Sequence, residues 1–122
     1  MMGTVVEVIS PDEQAPEIAF DEIKRIEDLL SKYKEESEIS RLNKQGVLKV
    51  SPDTLYIIKE AKKFWIATNG AFDVTVGPLM DIWGFTDKNC RLPAKSKIEE
   101  TLRLVGFDKV IIDEDSGIIR FK

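Results

Sequence analysis

One helix in this chain is delimited chemically at both ends, and the rest of the fold must accommodate it. Ser51 offers a capping hydroxyl, Pro52 occupies the first helical position, and Asn69-Gly70 supplies the stop. Between them Leu55, Ile58, Ala61, Phe64 or Trp65, and Thr68 line one side. An apolar stripe of that length has to be buried against another layer.

The remaining elements are marked less completely. A β-branched alternation through Val5, Val6, Val8 and Ile9 predicts a strand of about eight residues from Gly3, ended by Pro11-Asp12. Ala19, Ile23, Ile26, Leu30 and Tyr33 recur at helical spacing and predict an amphipathic helix over 16–34. Residues 35–43 are polar and rich in capping groups, which predicts a loop with a single helical turn before Gly46 and a short extended piece over 47–50. Ser96-x-x-Glu99 reads as a capping box opening a third helix, with Ile98, Leu102 and Val105 as its stripe and Gly106 as its end. Residues 109–112 and 117–121 flank Asp113-Glu114-Asp115-Ser116 as a β-hairpin, so the chain is expected to finish on an unfinished sheet edge. The fold class is α+β: an antiparallel sheet with helices packed on it, as one domain over 1–122.

Composition narrows the chemistry. No histidine is present, which removes a Ser-His triad, a histidine base and a histidine-held zinc from this chain acting alone. Cys90 is the single cysteine, so neither an internal disulfide nor a cysteine metal cluster can form, and no activating base is evident beside it. Eighteen Lys and Arg interleave with 22 Asp and Glu for a formal charge of −4, a poor footprint for nucleic acid. The opening residues show no basic, long-apolar or cleavage pattern of a signal peptide, and no transmembrane segment is expected.

The least ordinary stretch runs from Thr68 to Phe85, with three glycines and a proline among large apolar groups. Asp73 and Thr75 are suited to bonding nearby backbone amides in a tight turn. Gly77-Pro78 is suited to opening a short helix whose free N–H groups would favour an anion, and Phe72, Trp83 and Phe85 add flat apolar surface. A purely structural Gly-Pro turn fits the same spacing.

Gly70-Ala71-Phe72-Asp73-Val74-Thr75-Val76-Gly77-Pro78-Leu79 followed by Trp83-Gly84-Phe85 resembles the signature segment of the FAD:protein FMN transferases, the ApbE or thiamine-biosynthesis lipoprotein family. Met2-Gly3-Thr4 and the segment Tyr33-Lys34 through Ser37, Arg41 and Asn43 fall in the same family order, so the resemblance covers essentially the whole chain. It implies the N-terminal part of an ApbE-like, T-fold-related domain. It also implies flavin contacts from Met2, Tyr33, Ala71, Phe72 and Asp73. Without the resemblance Met2, Tyr33, Phe72 and Asp73 read as a strand terminus, part of a helix stripe, a core aromatic and a turn cap. Ser37, Arg41 and Asn43 could hold a phosphate, or could brace the loop with Arg41 paired to Glu38 or another acidic neighbour.

The resemblance further implies Mg2+-dependent transfer of FMN from FAD to a threonine of a target flavoprotein. In the family, a later Asp-Leu-Gly-Gly-Ile-Ala-Lys-Gly-like segment and the C-terminal part behind it bring the remaining FAD contacts and the magnesium ligands. No catalytic residue and no metal ligand carries over to these 122 residues, and the expectation is a flavin-binding front that is inactive alone. The family is commonly exported and lipid-anchored; no lipobox cysteine stands near the start of this chain, which leaves localisation open. Partners implied are FAD, a target flavoprotein, and either the family's C-terminal half or a second copy through the hairpin edge. A non-catalytic flavin-binding or protein-interaction module is the competing expectation, and a decayed product in which the motifs survive only as fold determinants is another.

Overall fold

The computed structural model describes residues 4–122, with five α-helices and three strands among them. Helix α3, Pro52–Ala67, is the element marked at both ends in the sequence, and its caps form as expected. The Ser51 hydroxyl accepts from the Thr54 amide, and Asn69 enters the left-handed region at φ 50°. Amide bonds from Asn69 to the Ile66 carbonyl and from Gly70 to the Trp65 carbonyl (2.8 Å) close the last turn in a Schellman arrangement.

Helix α1, Ala15–Leu30, stops four residues short of the expected end. Ser31 turns extended at ψ 123°, so Tyr33 leaves the helical stripe for the turn after it. Helix α1 is peripheral: none of its residues is buried, and an ion pair from Arg25 to Asp53 (2.8 Å) ties it to the first turn of α3. Helix α2, Glu38–Gln45, is the expected helical turn grown to eight residues, capped by Ser37 and closed by Gly46 at φ 74°.

Strand β1, Val47–Lys49, pairs antiparallel with β3, Ile118–Phe121, and β3 pairs antiparallel with β2, Val110–Asp113. The order β1-β3-β2 corrects one expectation: the last strand is the centre of the sheet, flanked on both sides, and the open edge of the hairpin belongs to β2. Ile119 of β3 is fully buried and meets Leu42, Leu48, Val50, Ile58, Ala61 and Phe107 in the core. Sheet and helices thus share one small core, in an α+β arrangement.

Two further expectations fail. Among the described residues 4–10 no strand ladder forms, although Val6 and Val8 are half-buried while Val5 and Ile9 are almost fully exposed. Alternation sets which side faces inward, but a strand also needs a neighbour's carbonyls and amides, and β-propensity alone does not supply one. The helix expected behind the capping box, α5, Lys95–Leu102, starts before Ser96, with Ala94 at its cap and no side-chain cap bond. Glu99 faces Lys95 instead of capping backwards, and Val105 lies beyond the helix.

Candidate functional site

The segment after α3 is held by its own polar side chains. The Thr68 hydroxyl donates to the Phe64 carbonyl (2.8 Å) and accepts from the Phe72 amide (2.9 Å), which folds the chain back over the helix end. Phe72 consequently packs its ring against Phe64, centroids 5.9 Å apart, and stays 45% exposed. It is a surface aromatic rather than a core residue.

Asp73 forms the expected turn. One of its oxygens, Oδ1, accepts from the Thr75 amide (2.8 Å) and the Thr75 hydroxyl (2.7 Å). The Thr75 oxygen in turn accepts from the amide of Gly106 (2.7 Å), 31 residues away and just before the hairpin. Thr75 therefore bridges two distant loops, where its position in the sequence had suggested only local bonding.

Helix α4, Gly77–Ile82, opens at Gly77-Pro78 as expected, but its first turn does not present a set of free amides. Pro78 has none, and the Leu79 and Met80 amides both turn back to the Val76 carbonyl (2.9 and 3.1 Å). The anion site expected at this helix start is not formed.

In the last turn of α4, Asp81 receives the Lys32 ammonium at 3.0 Å and the Thr86 hydroxyl, and Lys32 also donates to Thr86 at 2.9 Å. The Thr86 hydrogen bond first, then Lys32, holds the Asp81 carboxyl below the usual aspartate range. Lys32 sits 5.4 Å from the centroid of the Tyr33 ring, so this cluster ties the turn carrying Tyr33 to the signature segment. Nothing in the local sequence around Lys32 signals that link, because its partners lie about fifty residues on.

Tyr33 itself is 69% exposed and lines an open groove of about 850 Å³ together with Lys32, Ser40, Arg41, Asn43 and Lys44. Ser37 braces this loop: it is buried, caps α2 and donates to the Ser31 carbonyl. Of the partners open to Arg41, Glu38 is engaged elsewhere. The Glu38 carboxylate instead accepts from the Ser51 amide (2.9 Å) and hydroxyl (2.9 Å), and Arg41 makes no ion pair among the described residues. The structure thus brings Tyr33 together with Arg41 and Asn43, and sets Ala71, Phe72 and Asp73 together in the other turn. Met2 lies outside the described residues.

Residues 2–122 match the model of the ApbE family. The chain belongs to the ApbE family. Among its ApbE relatives, the FAD:protein FMN transferase of Haemophilus influenzae is 33% identical over 97 residues, 75% of this chain and 28% of that protein. The Vibrio cholerae FAD:protein FMN transferase is 42% identical over 66 residues, 52% of this chain and 20% of its own length. The solved ApbE protein of Thermotoga maritima superposes with a TM-score of 0.86 at 33% identity, covering 97% of this chain and 39% of that one. The flavin transferase ApbE from Vibrio cholerae gives 0.76 at 28% identity, over 93% and 39%. The chain therefore spans between a fifth and two-fifths of these ApbE proteins, and its α+β fold is that of their N-terminal region.

Proposed function

We propose that the chain forms the N-terminal flavin-binding face of an FAD:protein FMN transferase, with Met2, Tyr33, Ala71, Phe72 and Asp73 as its FAD contacts. The observation that carries the reading is the signature turn itself. The Thr68 and Thr75 hydroxyls brace it by accepting from the Phe72 and Gly106 amides, yet it leaves Phe72 exposed instead of using that ring in the core.

The side chains suit the ligand. Tyr33 and Phe72 offer flat apolar faces for a tricyclic ring, Asp73 offers a carboxylate oxygen to a ring N–H or a hydroxyl, and Arg41 and Lys44 place positive charge in the groove beside Tyr33. FAD, when bound, supplies the FMN group for transfer to a threonine of a target flavoprotein. These residues would bind and orient it.

Among the described residues no three His, Cys, Asp or Glu side chains come together as a ligand set, and no magnesium ligand is proposed among them. No metal-dependent step is assigned to this chain, and by itself it is expected to bind FAD without turning it over.

A second reading, a surface for another polypeptide, is favoured by the amount of apolar side chain left uncovered, including Tyr56, Phe64 and Ile66 on α3. The two readings are compatible.

Titration of the purified chain with FAD, monitored through the fluorescence of Trp65 and Trp83, tests the flavin reading. Saturable quenching that weakens in Phe72→Ala and Asp73→Ala is the expected result. A flat titration, or saturation unchanged in both variants, would remove these residues from the flavin site.

A further inference from the structure

The Asp73 carboxylate is acceptor-only when ionised, which fixes the direction of every bond around Thr75. The Thr75 hydroxyl has one proton, and with a carboxylate oxygen 2.7 Å away that proton must point at Asp73. The oxygen's lone pairs are then turned to the Gly106 amide, also at 2.7 Å. The relay runs one way, from the Gly106 amide through the Thr75 hydroxyl to Asp73 Oδ1.

Gly106 is adapted to that role. Its φ of +135° is a conformation side chains rarely adopt, and a Cβ there would lie 2.3 Å from an Asp108 carboxylate oxygen. Since the Thr75 amide also donates to Oδ1, that oxygen is doubly occupied. Among the described residues no donor reaches the second oxygen, Oδ2.

We infer that Thr75 is a positioning residue of the flavin site: it holds Asp73 in one rotamer with Oδ2 outward, as the acceptor for a single N–H or O–H donor of the flavin. The inference rests on the flavin reading of Asp73 given above. Its chemical content is narrower than that reading, because it makes the Thr75 hydroxyl, rather than the methyl or the backbone, responsible for how well Asp73 works. Thr75 itself touches no ligand in this scheme.

A double-mutant cycle on FAD affinity separates the possibilities. Asp73→Asn keeps an acceptor at Oδ1 for Thr75 and converts Oδ2 into a donor, so it should weaken FAD binding about tenfold or more. Thr75→Val keeps shape and removes the hydroxyl, and should weaken binding by a similar factor; Thr75→Ser restores the hydroxyl and should bind within about twofold of the parent chain. In the Asp73→Asn background, Thr75→Val should add little, since the group it positions is already disabled.

Failure of the parent chain to bind FAD, or an Asp73→Asn chain that binds as tightly as the parent, overturns the flavin reading and this inference with it. An Asp73→Asn loss without a Thr75→Val loss leaves Asp73 as a flavin contact and overturns only the role of Thr75. Multiplicative losses in the double variant overturn it too, because they would show that Thr75 acts through the fold at large. If the valine variant does not fold, the serine variant decides: a folded Thr75→Ser chain with weakened binding shows that the methyl, not the hydroxyl, matters.

Discussion

Gly84 is the residue whose replacement the fold can least absorb. It is buried at φ +76°, and a Cβ would meet the Asn89 carbonyl oxygen at 1.9 Å and its carbon at 2.6 Å, both backbone atoms that cannot rotate away. Gly84→Ala combines a left-handed backbone with a steric collision and should destabilise the chain by about 2–4 kcal/mol, read from urea unfolding. A loss under about 0.5 kcal/mol would mean that the 85–91 loop moves aside freely. The same residue shows what the sequence could and could not tell. The Trp-Gly-Phe string was conspicuous as part of a family signature, and flat apolar surface was expected from its aromatic residues. Its glycine, however, is required by a loop closing from Asn89, a contact that no local pattern announces. Asp73 was legible as a turn former because its partner is two residues away, whereas the Thr75 bond to Gly106 spans 31 residues and was not.

Between elements, side chains in first turns do the joining. Glu38, at the start of α2, accepts from both the amide and the hydroxyl of Ser51, and that hydroxyl caps α3 at the Thr54 amide. Glu38→Ala should cost about 1–2 kcal/mol and Ser51→Ala about 1 kcal/mol, with the double variant losing less than the sum, because both changes disable the same cap. Additive losses in urea unfolding would separate the two residues. The Lys32–Asp81 pair links the end of α1 to α4 and predicts a pH signature. The folded-state pKa of Asp81 is depressed below the ordinary 3.8, so its stabilising contribution is present above that value and is lost as pH falls through the folded pKa. The pair is partly solvated, so the contribution is under about 1 kcal/mol. Asp81→Asn should lower the Tm slightly at neutral pH and leave it unchanged relative to the parent in strong acid. An equal deficit at both pH values would remove the charge from the explanation. These links also explain why element ends were harder to read than elements. Helix α3 carries its own caps in sequence and appears where expected. Helix α1 ends early at an extended Ser31, whose carbonyl receives the Ser37 hydroxyl of the adjoining loop. The Ser96 capping box, in turn, matched a pattern whose hydroxyl is never used as a cap.

At the scale of the molecule, surface area decides more than any single contact. A compact monomer of 13.9 kDa exposes about 6,700 Å² by the usual mass scaling, whereas this chain exposes 8893 Å². The excess, about 2,200 Å², is what one side of a large obligate interface covers. Part of it belongs to residues 5–14, which precede α1 outside the three-stranded sheet, and part to α3, where Tyr56, Phe64 and Ile66 are each more than half exposed. A core of seven buried apolar residues among those described is small for such a surface, so the outer side of α3 is where further burial would stabilise most. The chain on its own is therefore predicted to associate as its concentration rises, and Phe64→Glu, which puts a charge on the exposed surface of α3, to shift that association to higher concentration. Sedimentation velocity across a roughly hundredfold range in concentration measures both. A sedimentation coefficient that stays at the monomer value throughout would mean the uncovered surface is tolerated in water. A parent chain that associates and a Phe64→Glu chain that associates equally well would move the contact off α3, to the open edge of β2, where Ile111 and Asp113 can be varied in turn.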